Sequence, residues 1–345
     1  MAHLPCHAVT FGLRFIQTQN KERNNEMTNR KMLIGISALA LAAAGCITSS
    51  AGPSVAKPRP ADVYTTGSVG FKLGFAPYTY KEYDIDQILE FARKLDVKCT
   101  GIKYFMVKKG VKVDKPDEVR SITDAEIAAF KEKMAKAGVE VSSVGPVYME
   151  TEDQCRAAFE FTKRMGVKVL VAVPFEYSDA KRKHRVASRK LCEYASKCCK
   201  EFDIKYAIHN HGPDSPDYFP TGRSAYEMVE DLDPRMGLCL DIGHDFRFGY
   251  DPVDSIRRYG DRLFDMHLKN VVPDEVDKKT GKLLKRNQSR TFPRGAIDLV
   301  EIAKALKDIG YTGACEIEYE RDFTDNLAAM AENIGYFRGL MDASR

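Results

Sequence analysis

The chain has 345 residues, with 53 Lys and Arg against 49 Asp and Glu, 44% hydrophobic and 30% charged residues, nine Cys and no Trp. These values fit a globular chain and argue against a disordered polymer, a collagen-like fibre or a multi-span membrane protein. A formal charge of +4 over this length is too weak to advertise nucleic-acid binding, and the cysteines are too sparse for a small disulfide scaffold.

The N-terminal segment reads as an address. From Met27 a short basic stretch with Arg30 and Lys31 precedes an apolar run from Met32 to Ala44 and then Gly45-Cys46. That order is the order of a secretory signal. The apolar run is shorter than the roughly 20 residues a membrane-spanning helix needs. Ala43-Ala44-Gly45-Cys46 resembles the lipobox of bacterial lipoproteins, so Cys46 is the expected lipidation site. Residues 1–45 are thus expected to be a leader and lipoprotein signal peptide, with 1–26 a misassigned start. The expected product is an exported lipoprotein facing the bacterial periplasm, held to the membrane by its lipid anchor only. The leader carries Arg14, Lys21, Arg23, Arg30 and Lys31 against Glu22 and Glu26, so most of the basic excess belongs to it. Residues 46–68, with Ser49, Ser50, Gly52, Pro53, Pro58 and Pro60, read as a flexible tether.

From residue 69 to 345 short β-branched runs alternate with amphipathic segments, the pattern of βα units and a parallel sheet. Strands are expected at about 71–76, 98–105, 139–145, 167–174, 204–209, 236–242, 262–269 and 313–319. Helices are expected at Ile85–Leu95, Asp124–Ala137, Asp153–Met165, Arg185–Glu201, Ala225–Asp231, Asp254–Tyr259, Ile297–Ile309 and Asn326–Met341. A degenerate repeat marks the junctions: Leu95-Asp96-Val97, Ala137-Gly138-Val139, Met165-Gly166-Val167, Phe202-Asp203-Ile204 and, more loosely, Ile309-Gly310-Tyr311. Gly or Asp can take the left-handed conformation that stops a helix, and the residue after it opens the next strand. Eight such units fit an α/β chain forming a single (β/α)8 TIM barrel, whose usual size is about 250 residues. The rival doubly wound sheet lacks its G-x-G-x-x-G after the first strand.

Downstream of residue 45 the chain has five histidines, and four of them fall at the C-terminal ends of expected strands five to seven. In a parallel barrel those ends form the active-site face. The segments are Ala207-Ile208-His209-Asn210-His211, Leu240-Asp241-Ile242-Gly243-His244, Asp265-Met266-His267-Leu268-Lys269 and Glu316-Ile317-Glu318-Tyr319-Glu320. Burying such groups unpaired costs roughly 2–7 kcal/mol for a neutral polar group and more for a charge. One divalent metal ion would satisfy them together. Two His, one Asp and one Glu suit Mn²⁺, Zn²⁺, Co²⁺ or Fe²⁺, and serve Mg²⁺ less well.

Residues 70 to 341 resemble the xylose isomerase-like TIM-barrel superfamily, the sugar phosphate isomerases and epimerases. The resemblance lies in Leu240-Asp241-Ile242-Gly243-His244, His267-Leu268-Lys269 and Gly310-Tyr311-Thr312-Gly313 leading to Ile317-Glu318-Tyr319-Glu320. It implies one divalent metal held by Glu, Asp, His and Glu from the last four strands. Asp241, His267 and Glu318 take three of these positions. The fourth is normally the Glu of an E-N-H sequence, and here His209-Asn210-His211 puts His209 in its place. That departure preserves a metal ligand but removes one of two paired carboxylate bases.

A metal holding a carbonyl and an adjacent hydroxyl stabilises an enediolate, and a positioned base then moves the proton. Glu318 is the expected metal ligand and leading base, with His209 as ligand and candidate second base. His244 is expected to orient Asp241 or contact substrate, Lys269 to stabilise a substrate oxyanion, and Lys103 and His211 to contact substrate. Glu150 and Glu176 end strands three and four, and Tyr78, Tyr80, Phe105, Tyr148 and Phe175 are candidate sugar-stacking walls or packing residues. The segment 271–295, with Lys278, Lys279, Lys282, Lys285 and Arg286, is long enough for a lid or binding loop. Cys192, Cys198 and Cys199 share one helical pattern unfavourable to disulfides and read as packing residues. The leading expectation is a metal-dependent sugar isomerase or epimerase acting on a small carbohydrate or keto-sugar. The alternatives are a lyase that cleaves 3-keto-glycosides by β-elimination, an AP-endonuclease-like phosphodiesterase and a non-catalytic sugar-binding lipoprotein. No nucleic acid is expected as a partner.

Overall fold

The computed structural model describes residues 70–110, 116–174, 181–211, 219–273, 275–276, 279, 283–285 and 288–343. The expected leader, tether and lipidation site at Cys46 lie outside these residues, as do Phe175 and Glu176. Within them, every junction of the repeat is a left-handed residue: Asp96 at φ 52°, Gly138 at 64°, Gly166 at 76°, Asp203 at 54° and Gly310 at 64°. Each stops a helix and aims the chain back at the barrel. The opposite helix ends are capped by short polar side chains, among them Asp84, Thr123, Thr151, Thr221 and Asp298, which accept from backbone N–H groups of the first turn.

Eight strands form a closed barrel: β1 Lys72–Phe75, β2 Cys99–Ile102, β3 Glu140–Met149, β4 Val169–Pro174, β5 Lys205–His209, β6 Met236–Asp241, β7 Leu263–Leu268 and β8 Ala314–Ile317. Their order is β1-β8-β7-β6-β5-β4-β3-β2, and all pairs are parallel. The connecting helices are α1 Ile85–Leu95, α2 Asp124–Ala137, α3 Glu152–Met165, α4 Lys181–Phe202, α5 Gly222–Val229, α6 Ile242–Arg247, α7 Pro252–Tyr259, α8 Leu299–Asp308 and α9 Leu327–Ala343. The expected (β/α)8 barrel is the fold. Among the described residues no helix is long and apolar enough to cross a membrane.

Four departures from the expected elements have local causes. β2 stops at Ile102 because Lys103 opens a helical turn, Tyr104–Val107. β6 stops at Asp241, one residue before the expected strand end, because its side chain accepts the backbone N–H of His244 and so caps α6. β3 runs on to Met149, four residues past the expected end. The long connection after β7 contains two short antiparallel ribbons, one pairing Asn270–Val271 with Ser289–Arg290, the other pairing Glu275–Val276 with Leu283–Lys285. Asn270 ties this connection down: its amide donates to the Phe292 and Ile297 carbonyls and accepts the Ile297 N–H.

The outer faces of the strands pack on the helices, through residues such as Ile102, Leu170, Ile208, Met266 and Ile317. A separate small cluster of Val171, Ala207 and Cys239 plugs the lumen. The seven described cysteines are all buried and unpaired by disulfides, as packing residues. Tyr80 is likewise core rather than pocket wall: it is fully buried against Phe75, Tyr83 and Phe91.

Candidate metal centre

His209 and Asp241 close β5 and β6, His267 is the penultimate residue of β7, and Glu318 follows β8 by one residue. Inward-facing positions alternate with outward ones along a strand, so residues on the same side of neighbouring strands meet in the lumen. The structure brings one ligand atom from each of these four buried side chains to within 4.8 Å of one another. His209 Nε2 lies 3.0 Å from His267 Nδ1, and His267 Nδ1 lies 2.5 Å from Glu318 Oε2. Asp241 Oδ2 is 3.9 Å from His209 Nε2.

The charges around this set are balanced from one side. Lys269, wholly buried, places its Nζ 2.8 Å from Asp241 Oδ2, 3.4 Å from Glu318 Oε1 and 3.3 Å from Glu320 Oε2. Burial opposes the ammonium form, but Asp241, Glu318 and Glu320 outweigh it and raise the Lys269 pKa. Burial likewise works against the Glu318 carboxylate, yet Lys269 and His267 bring its pKa down to about 2. Glu318 is therefore ionised at neutral pH. Burial and then the neighbouring histidines push His209 well below the ordinary imidazole value, which leaves a neutral ring with a lone pair to offer. His267 goes the other way: burial pulls it down, but Cys239, Glu318 and Glu316 beside it outweigh burial.

The other expected site residues surround this group. His244 donates its backbone N–H to Asp241 Oδ1 at 2.9 Å, and its ring Nε2 lies 3.1 Å from Lys269 Nζ. Burial and then Lys269 lower its pKa well below the usual value. His211 sits beside His209, with ring centroids 4.7 Å apart, and stacks on Tyr148 with Nε2 3.3 Å from the phenolic oxygen. Lys103 is buried just past β2, its Nζ 5.4 Å above the Tyr78 ring. Glu150 is exposed between the end of β3 and the cap of α3, and its N–H donates to Gln154 Oε1.

Residues not singled out from the sequence hold the ligands in place. Asn210 accepts the Asp241 N–H and donates to both the Asp241 carbonyl and Asp245. Asp245 also accepts from Gly222 N and Ser255 Oγ, and burial pushes its pKa up to about 6. Arg247 approaches Glu320 at 3.6 Å and His244 Nδ1 at 3.3 Å. A further donor group, Asp265, His267 and Glu316, lies deeper in the lumen. Burial and then Glu316 raise the Asp265 pKa well above the carboxylate range.

Known proteins share this architecture. The family model described as xylose isomerase-like TIM barrel matches residues 97–340. The chain is 31% identical over 137 residues to an inosose dehydratase of Geobacillus kaustophilus, covering 37% of this chain and 43% of that one. It is 28% identical over 187 residues to an inosose isomerase of Bacillus licheniformis, covering 53% of this chain and 64% of that one. The chain thus spans 43% to 64% of the length of these curated relatives. Among solved structures it is similar to the IOLI protein with a binding zinc atom, at TM-score 0.60 and 20% identity over 79% of this chain and 99% of the other. It is also similar to D-psicose 3-epimerase in the presence of D-fructose, at TM-score 0.56 and 16% identity over 80% of this chain and 98% of the other. Likenesses at these identities speak to the fold.

Proposed function

This chain belongs to the xylose isomerase-like TIM-barrel family, and from that premise we propose that it is a divalent-metal-dependent sugar isomerase or epimerase acting on a keto-sugar or a related small carbohydrate. The observation that carries the reading is the convergence of His209, Asp241, His267 and Glu318, all buried, at the active-site end of the barrel. The donor set fits a divalent ion. Two imidazoles and two carboxylates meet with His209 Nε2, His267 Nδ1 and Glu318 Oε2 crowded together, and such a mixed N/O set suits Zn²⁺, Mn²⁺, Co²⁺ or Fe²⁺. The zinc atom bound by the similar IOLI protein supports the same reading.

When bound, the ion supplies Lewis-acid polarisation of the substrate carbonyl. The chain's own groups supply the proton chemistry. Glu318, ionised at neutral pH, takes the proton from the carbon next to the carbonyl, and the electron pair of that C–H bond moves into the enediolate. Lys269, fixed by three carboxylates, holds positive charge where negative charge develops. Returning the proton from Glu318 to the neighbouring carbon isomerises the sugar. Returning a solvent-derived proton to the opposite face, with His209 as the candidate second base on that side, epimerises it. In this reading Lys103, His211 and Tyr148 hold substrate hydroxyls.

β-Elimination is the second reading, favoured by His209 in place of a second carboxylate and by the inosose dehydratase among the relatives. The same enediolate then expels a β-hydroxyl or aglycone instead of regaining its proton. Metal analysis of the wild type and Glu318→Gln, followed by solvent-deuterium exchange on a panel of keto- and aldo-sugars, tests both. Incorporation at a sugar carbon without loss of a leaving group supports isomerisation or epimerisation. Release of water or an aglycone supports elimination. Metal and sugar binding with no C–H exchange would leave a binding protein and overturn both. We also propose that the protein acts outside the cytoplasm as a lipoprotein, tested by radiolabelled fatty-acid incorporation into the wild type and its loss in Cys46→Ser.

A further inference from the structure

Inside a TIM barrel the layers of lumen side chains are usually bulky and branched. Here the layer below the four converging ligands holds Glu316, fully buried on β8, two residues before Glu318 and in register with His267 on β7. An acid in that place is costly unless other groups hold it, and the surrounding strands are shaped to hold it. Ser142 and Ser143 of β3 both donate to Glu316 Oε1, at 2.6 Å and 3.1 Å. β2 contributes Gly101, where a Cβ would meet the Glu316 carboxyl group at 3.0 Å or closer. Two hydroxyls and a missing side chain therefore aim one carboxylate.

Its free oxygen points at the underside of His267. Glu316 Oε2 lies 3.6 Å from His267 Nε2, and neither atom has a hydrogen-bond partner although both are buried. The opposite ring nitrogen, Nδ1, is the one that faces His209 and Glu318. An imidazole offers a lone pair from one nitrogen when the other carries the proton, and an acceptor for that proton sets the tautomer and the ring orientation.

We propose that Glu316 is the positioning residue of the metal centre: it accepts the Nε2 proton of His267, so that His267 presents Nδ1 to the ion. Asp265, on the same strand as His267 and within the same donor group, is the second acidic side chain of this arrangement. Ser142 and Ser143 keep Glu316 from turning away. This role rests on the metal-dependent reading above.

The test is metal affinity set beside thermal unfolding, on the full chain. Zn²⁺ and Mn²⁺ affinities are measured by chelator competition, and Tm is measured on metal-free protein. Glu316→Leu is expected to weaken metal binding about 10–100-fold. Its metal-free Tm is expected to fall as well, because His267 Nε2 and the Ser142 and Ser143 hydroxyls lose their buried acceptor, so the affinity of the folded chain is the deciding readout. Glu316→Gln keeps an acceptor of nearly the same shape and is expected to lose less affinity, which gives a graded series in case Leu is not accommodated. A structural role alone predicts the lower Tm with unchanged affinity for the folded chain, and that result overturns the proposal. So does a second equivalent of metal bound by the wild type and lost in Glu316→Leu, which would make Glu316 a ligand of its own ion. If the wild type binds neither ion, the metal-dependent function itself fails. If the wild type binds and both variants match it, only the positioning role fails.

Discussion

Lys269 Nζ lies 2.8 Å from Asp241 Oδ2, and both side chains are wholly buried. The same ammonium reaches Glu318 and Glu320, so Lys269 touches three carboxylates, with His267 also on Glu318 and Arg247 also near Glu320. A divalent ion bound by Asp241 and Glu318 would share with Lys269 the task of offsetting their charge. Lys269→Met is therefore expected to destabilise the metal-free protein by about 3–5 kcal/mol, the usual cost of stranding a buried charge. Urea unfolding with and without Zn²⁺ measures it. Added metal should restore more stability to Lys269→Met than it gives the wild type, and equal metal responses would contradict this balance of charges.

His209→Glu tests the departure from the E-N-H pattern. It converts the donor set from two imidazoles and two carboxylates to one and three, which favours harder ions. The expected outcome is a metal preference moved from Zn²⁺ toward Mn²⁺ and Mg²⁺, read by competition binding. In the same variant, solvent-deuterium exchange at a keto-sugar should gain a second carboxylate-dependent component. An unchanged preference would mean that His209 does not bind the ion.

Much of the fold was legible because its signals are local. A Gly or Asp that must turn left-handed at Asp96, Gly138, Gly166, Asp203 and Gly310 announces a helix end within a few residues of sequence. The histidines and acids at the strand ends were visible for the same reason. Glu316 and Asp265 were not, since their meaning depends on register: only the pairing of Glu316 with His267 across β8 and β7 shows which ring nitrogen the acid faces. A signal did exist, because each lies two residues before a ligand and so on the same side of its strand. The end of β6 was missed by one residue because Ile242, β-branched, suits a strand, whereas Asp241 as a cap decides for a helix. Tyr80 was open to both readings, and only the packing of Phe75, Tyr83 and Phe91 around it made it core.

Asp245 predicts a pH dependence of stability. Burial raises its carboxyl from 3.8 to about 6, with Gly222 N and Ser255 Oγ pulling the other way. The fold therefore favours the protonated form. Its contribution is fully present below the unfolded pKa near 4 and is lost as pH rises through about 6, a change of about 3 kcal/mol at the usual value per pKa unit. Asp245→Asn keeps an acceptor for Gly222 and Asn210 but does not ionise. Wild-type stability minus that of Asp245→Asn, from urea unfolding between pH 4 and 7.5, is expected to fall across that window and then level off. A flat difference would place Asp245 in a solvated, ordinary environment.

Gly243 ties the start of α6 to the buried lysine. A Cβ at this position would stand 2.8 Å from Lys269 Cγ, 2.9 Å from Cδ and 3.0 Å from Cβ, against the stem of a side chain whose ammonium is already fixed by three carboxylates. The stem cannot withdraw without moving Nζ from Asp241. Gly243→Ala is therefore expected to cost about 1–3 kcal/mol as overpacking, and to lower the rate of substrate C–H exchange more than it raises the KM for substrate. Gly339→Ala is the control. It lies within α9 with nothing near its missing Cβ, so the gain in helix propensity, up to about 1 kcal/mol, should stabilise the chain without touching exchange. If Gly243→Ala instead behaves like Gly339→Ala, the position of Lys269 does not govern proton transfer.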